Sequence, residues 1–293
     1  MIHIALNIDD HYVQHCSVLM ASVCQNNNPE NIHFHILSIG LQKSNVTILE
    51  RLSKKFLACI SFYVVNKEKL ESLPTTEKWS HSIYLRLLIP QMLDSRISRV
   101  LYLDCDMIVR GKLDELWNTD LTGKAAAVVE DLHFFNAPMI ERLGYDPYES
   151  YFNSGMLLMN LDYFRENHCV DKIFAYMKSN LSMLIHPDQD ALNAVLHGQC
   201  VFVHCRWNYH YRFHVSYLYP EIFLSRDLNR LAKRNPVILH FSERKPWNMN
   251  CDSPFKDEYF KYLQDTEFNK YKVPIDWGYL LKIKMKQIYK LLR

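Results

Sequence analysis

The sequence predicts an α/β layer fold built on a mostly parallel central sheet. Three observations lead there. Short apolar strand patterns alternate with helical patterns along the first 65 residues, the signature of βα units stacked into one sheet. The apolar run Val100-Leu101-Tyr102-Leu103 ends in Asp104-Cys105-Asp106, and the carboxyl ends of strands are where such sheets place their ligand sites. The chain has 293 residues, 48% apolar and 23% charged, an ordinary globular composition with enough length to bury a core.

Each element follows from local pattern. Residues 2–8 form a short apolar strand, and residues 12–24 a helix with Tyr12, Cys16, Met20 and Val23 on one side, stopped at Asn26-Asn27-Asn28-Pro29. Ile32 to Ile36 alternates as a strand. Ser44 is positioned as an N-cap for a helix carrying Val46, Leu49, Leu52 and Phe56. Ile60 to Val65 is the next strand, then Val100 to Leu103, Ala125 to Val129 and Gly155 to Met159. A helix is expected over about 161–179 and another from Asp188 to Leu196, followed by strands Cys200 to Val203 and Val237 to His240. The stretch 205–235 is rich in Tyr, His and Arg and has weak periodicity. The simplest partition is a catalytic domain over 1–250 and a C-terminal helical extension over 251–293.

Charge separates the tail from the body. Of 34 basic residues five lie beyond Asp276, where there are no acids, leaving 29 bases against 32 acids elsewhere. That balance argues against nucleic acid as a partner. In the tail, Leu281, Met285, Ile288 and Leu292 recur at helical spacing, while Lys282, Lys286, Lys290 and Arg293 fall on another face. A basic amphipathic helix of this kind suits peripheral contact with an anionic membrane surface. No apolar run reaches the roughly 18 residues of a spanning helix, and Met1 to Leu6 carries no basic segment of the secretory type. Eight cysteines without a CxxC pair read as free thiols of a reducing compartment. Cys200, His204 and Cys205 have no usual zinc spacing.

The chemistry concentrates at a few places. If residues 104–106 continue the strand, Asp104 and Asp106 point the same way. Two carboxylates so close repel unless a cation neutralises them, and a hard ion such as Mn²⁺ or Mg²⁺ fits best. His240, directly after the strand Val237-Ile238-Leu239, offers an imidazole, and Lys245 a compact charge for phosphate. Asp188-Gln189-Asp190 follows His186-Pro187 at a helix start. Acids there are favoured by the helix dipole alone, and the same groups are suited to sugar hydroxyls. Tyr151-Phe152-Asn153-Ser154-Gly155 places an amide where it could face the same cleft.

These motifs in this order resemble the retaining glycosyltransferases of family 8, and among them the bacterial lipopolysaccharide galactosyl- and glucosyltransferases. The resemblance rests on Asn7-Ile8-Asp9-Asp10-His11-Tyr12, Tyr84-Leu85-Arg86, Leu101 to Asp106, Tyr151 to Gly155, Pro187 to Asp190 and His240 to Trp247, and covers the chain to about Trp247. It implies the GT-A fold, a Rossmann-like nucleotide-diphospho-sugar transferase architecture, and a UDP-sugar donor bound through Mn²⁺, with Mg²⁺ as the substitute. It implies Asp104, Asp106 and His240 as metal ligands, and Asp9 and Tyr12 at the uracil ring. It further implies Arg86, Asn153, Asp188 and Gln189 at the donor sugar and phosphates, and Lys245 at the diphosphate. The chain departs from the family pattern at Ser242-Glu243-Arg244, where relatives often carry a glycine, and holds His11 in the uracil motif.

The expected activity is transfer of galactose or glucose from the UDP-sugar to an oligosaccharide or glycolipid acceptor in lipopolysaccharide or another surface glycan, with retention. Gln189 is a poor nucleophile, so same-face substitution is favoured, with Gln189 as electrostatic support and Asp190 as the second choice, a transient nucleophile. The expected location is cytoplasmic, peripheral to the inner face of the cell membrane. Three rivals stand beside this reading. A haloacid-dehalogenase-type phosphatase also uses a strand and Asp-x-Asp, but normally has Thr or Val where this chain has Ile108. An inactive UDP-sugar-binding relative and a self-glucosylating primer protein are the others.

Overall fold

Seven strands form the central sheet: β1 (Ile2–Asn7), β2 (Ile32–Ser38), β3 (Cys59–Val64), β4 (Arg99–Leu103), β6 (Ala126–Glu130), β7 (Phe152–Asn160) and β8 (Cys200–Phe202), in the order β3-β2-β1-β4-β7-β6-β8. The computed structural model describes residues 1–66, 68, 70, 81–131, 141–144, 151–210, 212–213, 232–281 and 284–285. Every pair in the sheet is parallel except those made by β7, which runs antiparallel to both β4 and β6. A second sheet joins β5 (Met107–Val109), β10 (Ile238–His240) and β9 (Tyr209–His210), with β10 antiparallel to β5.

Alternation of side chains across the strands gives each sheet face its own core. Ile2, Ile4, Leu6, Phe34 and Ile36 point to one face and meet helix α1 (Val13–Asn26) through Val18, Leu19 and Val23. Ala5, Leu37, Val100 and Tyr102 point to the other, packed with helix α3 (Leu85–Met92). Helix α2 (Lys43–Phe56) buries Leu49 and Leu52, and a short helix α4 (Asp114–Trp117) follows β5. Helix α8 (Lys256–Leu263), in the C-terminal stretch, packs on the first core: Tyr259 Oη lies 2.7 Å from His15 Nδ1, and Tyr262 Oη accepts from Asn26 at 3.0 Å.

Four local readings are corrected. The N-cap of α2 is Gln42, not Ser44, and no side-chain bond caps it; Lys43 already opens the helix. The stretch 161–179 is two helices, α5 (Leu161–Glu166) and α6 (Cys169–Ser179), because His168 takes a left-handed φ of 52° that ends the first. β7 begins at Phe152 rather than Gly155, since ladder pairing with β6 continues past a bulge to the Glu130–Phe152 pair. Asp104-Cys105-Asp106 is a turn between β4 and β5, not extended strand. Helix α7 (Pro187–Val195) has Pro at its first turn and starts where the Asp188 motif predicted. Most of 214–235 and all of 286–293 lie outside the described residues, and with them most of the predicted tail helix. Among the described residues no helix is long and apolar enough to cross a membrane.

Candidate active site

The site lies at the carboxyl edge of the parallel strands. β1 delivers Asn7 and then Asp9, and β4 delivers Asp104. β7 runs the other way, so its amino end brings Asn153, Ser154 and Gly155 to the same edge. The small sheet supplies the rest. His240 pairs in register with Met107, and Phe241 N–H donates to Asp106 C=O at 2.9 Å, so β5 and β10 hold Asp106 and His240 side by side.

The two carboxylates converge through the turn. Cys105 is buried with its Sγ 3.6 Å from the Asn7 carbonyl, and Asp104 N–H donates to Gly155 C=O at 2.9 Å. His240 Nε2 then lies 3.2 Å from Asp106 Oδ1 and 3.9 Å from Asp104 Oδ2. The hydrogen-bond network assigns the tautomer. Asn208 Nδ2 donates to Asn153 Oδ1 at 2.8 Å, which leaves Asn208 Oδ1 to accept from His240 Nδ1–H at 2.9 Å. In the neutral ring Nε2 then presents its lone pair to two carboxylate oxygens. Asp106 Oδ1 is buried without a hydrogen bond. Two carboxylates and an imidazole nitrogen converging on one point are an arrangement that a cation stabilises.

Gly155 completes the cradle. A Cβ there would lie 2.5 Å from His240 Cε1 and 2.9 Å from Asp104 Oδ2, so only glycine lets the backbone approach this closely. Two carboxylates and one imidazole form a hard, oxygen-rich donor set that fits Mn²⁺ or Mg²⁺.

Two cations flank the acids. Lys245 Nζ is ion-paired to Asp106 Oδ2 and donates to Ser242 C=O at 3.1 Å. Buried Arg86 reaches Asp104 Oδ1 at 3.0 Å, Asp188 Oδ2 at 3.2 Å and Ser154 C=O at 3.0 Å, with its guanidinium 4.7 Å above the Tyr102 ring. Burial would lower the Arg86 pKa, but Asp104, Tyr102 and Asp188 raise it, so it stays charged. Burial and the neighbouring Asp106 charge push Asp104 up against the pull of Arg86. Asp106 is held well below the usual carboxylate range, the upward push of burial being overcome chiefly by the Lys245 ammonium.

Two clefts meet at this wall. One, about 730 Å³, is lined by Asn7, Asp9, Tyr12 and Ser82. The other, about 770 Å³, is lined by Asp131, Asn153, Asp188, Gln189, His210 and Arg212. Arg86, Asp104, Asp106 and Lys245 line both. Asp9 caps the turn at 10–12, accepting from His11 and Tyr12 N–H at 3.0 and 3.2 Å. Tyr12 stands half-exposed, edge-on to Trp247. Gln189 Oε1 accepts from Ser154 N–H at 2.9 Å and from Asn153 at 3.3 Å, while its Nε2 donates to Asp131 at 3.3 Å.

Asp190 stands apart from the other predicted site residues. It is fully buried and lines neither cleft; Oδ1 accepts from Tyr151 Oη at 2.7 Å, and Oδ2 takes Arg142 at 2.9 Å and Ile185 N–H at 2.7 Å. Its helix neighbours Asp188 and Gln189 do face the cleft of Asp131 and Asn153. Cys200, His204 and Cys205 do not form a ligand set among the described residues; the Cys200 thiol, pushed up to about 12 mainly by burial, bonds the Leu196 carbonyl at 3.8 Å. At the departure from the family pattern, Glu243 pairs with Arg212 at 3.1 Å and none of Ser242, Glu243 or Arg244 takes a left-handed φ.

Sequence reasoning missed Asn208, Tyr102, Asp131 and His210. Tyr102 carried a signal: it sits two residues before Asp104 in a strand, and its Oη donates to Asp104 Oδ1 at 2.5 Å. Asn208 and His210 lie in the aperiodic stretch and carried none.

A mostly parallel sheet with two carboxylates and an imidazole clustered at its carboxyl edge, between two clefts, has the architecture of GT-A glycosyltransferases. The chain belongs to glycosyl transferase family 8, whose model matches residues 3–251. It is 29% identical over 274 residues to general stress protein A of Bacillus subtilis, covering 92% of this chain and 95% of that one. It is 29% identical to a lipopolysaccharide 1,2-glucosyltransferase of Escherichia coli, covering 84% of this chain and 73% of the other. The crystal structure of galactosyltransferase LgtC in complex with donor and acceptor sugar analogues superposes with a TM-score of 0.80 at 24% identity, covering 94% of this chain and 99% of that one.

Proposed function

We propose that this glycosyltransferase moves a hexose, galactose or glucose, from a UDP-sugar to a saccharide acceptor with retention of configuration. One observation carries the reading: Asp104 and Asp106 stand with Arg86 and Lys245 on a wall shared by two clefts, and His240 joins the two carboxylates from the cleft of Asn153 and Gln189. The uridine occupies the cleft of Asn7, Asp9 and Tyr12, with Tyr12 stacking on the base. The hexose occupies the cleft of Asn153, Asp188 and Gln189. The diphosphate crosses between them at Lys245.

Asp104, Asp106 and His240 hold Mn²⁺, or Mg²⁺ in its place. When bound, that ion neutralises the charge that develops on the departing diphosphate. Lys245 adds a positive charge on the same leaving group. Arg86 fixes Asp104 and Asp188 relative to each other, so the metal cradle and the sugar contact stay in register. Asp190 is consumed by Tyr151, Arg142 and backbone N–H groups, which favours same-face substitution over a covalent intermediate on that carboxylate. Gln189 lines the same cleft as Asp188, and its amide oxygen, held in place by Ser154 N–H and Asn153, gives electrostatic support to the positive charge on the sugar. The departing phosphate takes the acceptor's proton.

The acceptor is a lipid-linked saccharide of a surface glycan, reached at the inner, cytoplasmic face of the cell membrane. A relative named a lipopolysaccharide 1,2-glucosyltransferase supports this, as do the exposed apolar residues Ile275, Trp277, Leu281 and Met285 beside the basic tail. The complete donor set favours turnover over an inactive binding relative.

Thermal unfolding with UDP, with Mn²⁺, with both and with EDTA tests the donor site. Ligand at 100 times its Kd stabilises by about 2.7 kcal/mol. A shift that needs UDP and Mn²⁺ together, followed by turnover of UDP-galactose or UDP-glucose, is the expected result. No shift at millimolar ligand overturns the reading. A gain of one hexose in the protein's own mass on incubation with donor would instead mark self-glucosylation.

A further inference from the structure

A second set of metal-ligating side chains lies at the other end of the sheet. His3 on β1 and His33 and His35 on β2 project from the same sheet face: His3 pairs in register with His33, and His35 is two residues on. His3 is four residues before Asn7, about 13 Å along the strand from the cleft edge at ~3.3 Å per residue. None of the three lines either cleft.

The rings form a compact group. His3 Nδ1 lies 2.9 Å from His35 Nε2, the His33 and His35 rings stack at 4.2 Å, and one nitrogen from each ring falls within 4.8 Å of the others. The outward nitrogens are already oriented by the next strand: His35 Nδ1 is 3.0 Å from Tyr63 Oη, and His33 Nε2 is 2.9 Å from Ser61 Oγ. Hydrogen bonds on the far nitrogen are how metal-binding imidazoles are fixed in tautomer and direction. His35 is fully buried, whereas His3 and His33 are partly open to solvent, which leaves an approach for an ion.

We propose that His3, His33 and His35 bind a first-row divalent cation of the Zn²⁺ class, separate from the ion of the sugar-transfer site. Three neutral imidazoles and no carboxylate select borderline ions such as Zn²⁺, Ni²⁺ or Co²⁺ over Mg²⁺ and Mn²⁺. Adjacent ligands in a tetrahedral zinc site with ~2.0 Å bonds lie about 3.3 Å apart, so the His3–His35 pair needs to open by only a few tenths of an ångström, while the His33 ring, stacked on His35 at 26°, has to rotate out of that stack to turn a nitrogen to the ion. Binding requires one ring of that pair to move its proton to its outer nitrogen, with no net proton release. The ion would tie β1 to β2 across the sheet.

Residue-resolved diethyl pyrocarbonate labelling of tag-free, metal-free protein tests this with ZnCl₂ as the probe and MgCl₂ as the control. Zn²⁺ is expected to slow modification of His3 and His33 at least tenfold, and Mg²⁺ to leave both reactive. His3→Gln and His33→Gln should each weaken Zn²⁺ uptake at this group at least tenfold, read as loss of protection at the remaining ring. His240 is followed in the same spectra, so an ion held only in the sugar-transfer cradle is told apart. Equal reactivity of His3 and His33 with and without Zn²⁺, or equal protection by Mg²⁺, overturns the proposal. The wild-type comparison decides the matter if either variant fails to fold.

Discussion

Asn208 holds His240 in one tautomer: its Oδ1 accepts the Nδ1–H at 2.9 Å while its Nδ2 is anchored on Asn153 Oδ1 at 2.8 Å. The metal-facing nitrogen is thereby fixed as an acceptor. Replacing the amide with an isosteric apolar group frees the ring and leaves a buried N–H unpaired. Asn208→Leu is expected to weaken Mn²⁺ binding about 10–100-fold. Titration of free Mn²⁺ by electron paramagnetic resonance checks this, and unchanged affinity would remove Asn208 from the metal site.

Gly155 leaves room that a methyl group would take from both His240 and Asp104. Gly155→Ala should cost about 1–3 kcal/mol in stability by overpacking. It should also abolish the UDP-dependent effect of Mn²⁺ on melting, because the displaced groups are the ligands. A variant that melts lower yet keeps the full Mn²⁺ and UDP shift would contradict the close-approach argument.

Asp188 and Asp190 sit two residues apart with different tasks. Asp190 is a fully buried partner of Arg142 and of two backbone N–H groups, so Asp190→Asn is expected to destabilise by about 3 kcal/mol, seen as a drop in denaturant midpoint. Asp188 faces the cleft of Asn153 and Gln189 and pairs with Arg86. Asp188→Ala should lower turnover on the order of 10²-fold with misplacement of the donor. Normal turnover in Asp188→Ala would dismiss its orienting role.

His15 stacks on Trp247 at 3.5 Å, and its pKa falls from 6.5 to about 4, chiefly through burial. Above pH 6.5 the ring is neutral in both folded and unfolded chains. As the pH falls below 6.5 the unfolded chain takes up a proton that the folded chain refuses until about pH 4, so stability is lost across that window. The loss at pH 5 is about 2 kcal/mol. Urea unfolding at pH 7 and pH 5 should therefore show a smaller difference in His15→Gln than in the parent; an identical difference would exclude His15 as a source.

The exposed apolar residues Leu281 and Met285 lie in the basic tail. Removing residues 279–293 is expected to reduce binding to vesicles containing anionic lipid while leaving the UDP and Mn²⁺ melting shift intact. Sedimentation with vesicles reads the first and thermal unfolding the second. Undiminished sedimentation would end the proposal that the tail holds the enzyme at the membrane.

The sequence alone determined the layer order of this protein, because apolar periodicity depends only on neighbours along the chain. Strands β1, β2, β3, β4 and β10 and helices α1, α2 and α7 stand within a residue or two of where the pattern placed them. The paired carboxylates Asp104 and Asp106 were likewise legible, since an Asp-x-Asp after an apolar strand carries its meaning locally; His240, Arg86 and Lys245 came only from the family resemblance, and the fold brings all five to one cleft. Tertiary structure decided what local pattern cannot express. The antiparallel β7 brought its amino end to the site, and a turn rather than a strand aimed the two carboxylates. Asp190, identical in type to its neighbour Asp188, was turned away because one helical step of roughly 100° separates adjacent side chains and two steps place them on opposite faces. Asn208 has no sequence signal, and of the His3–His33–His35 group only the i, i+2 spacing of His33 and His35 on one strand is local; the remaining partners come from distant segments that only the folded sheet brings into reach.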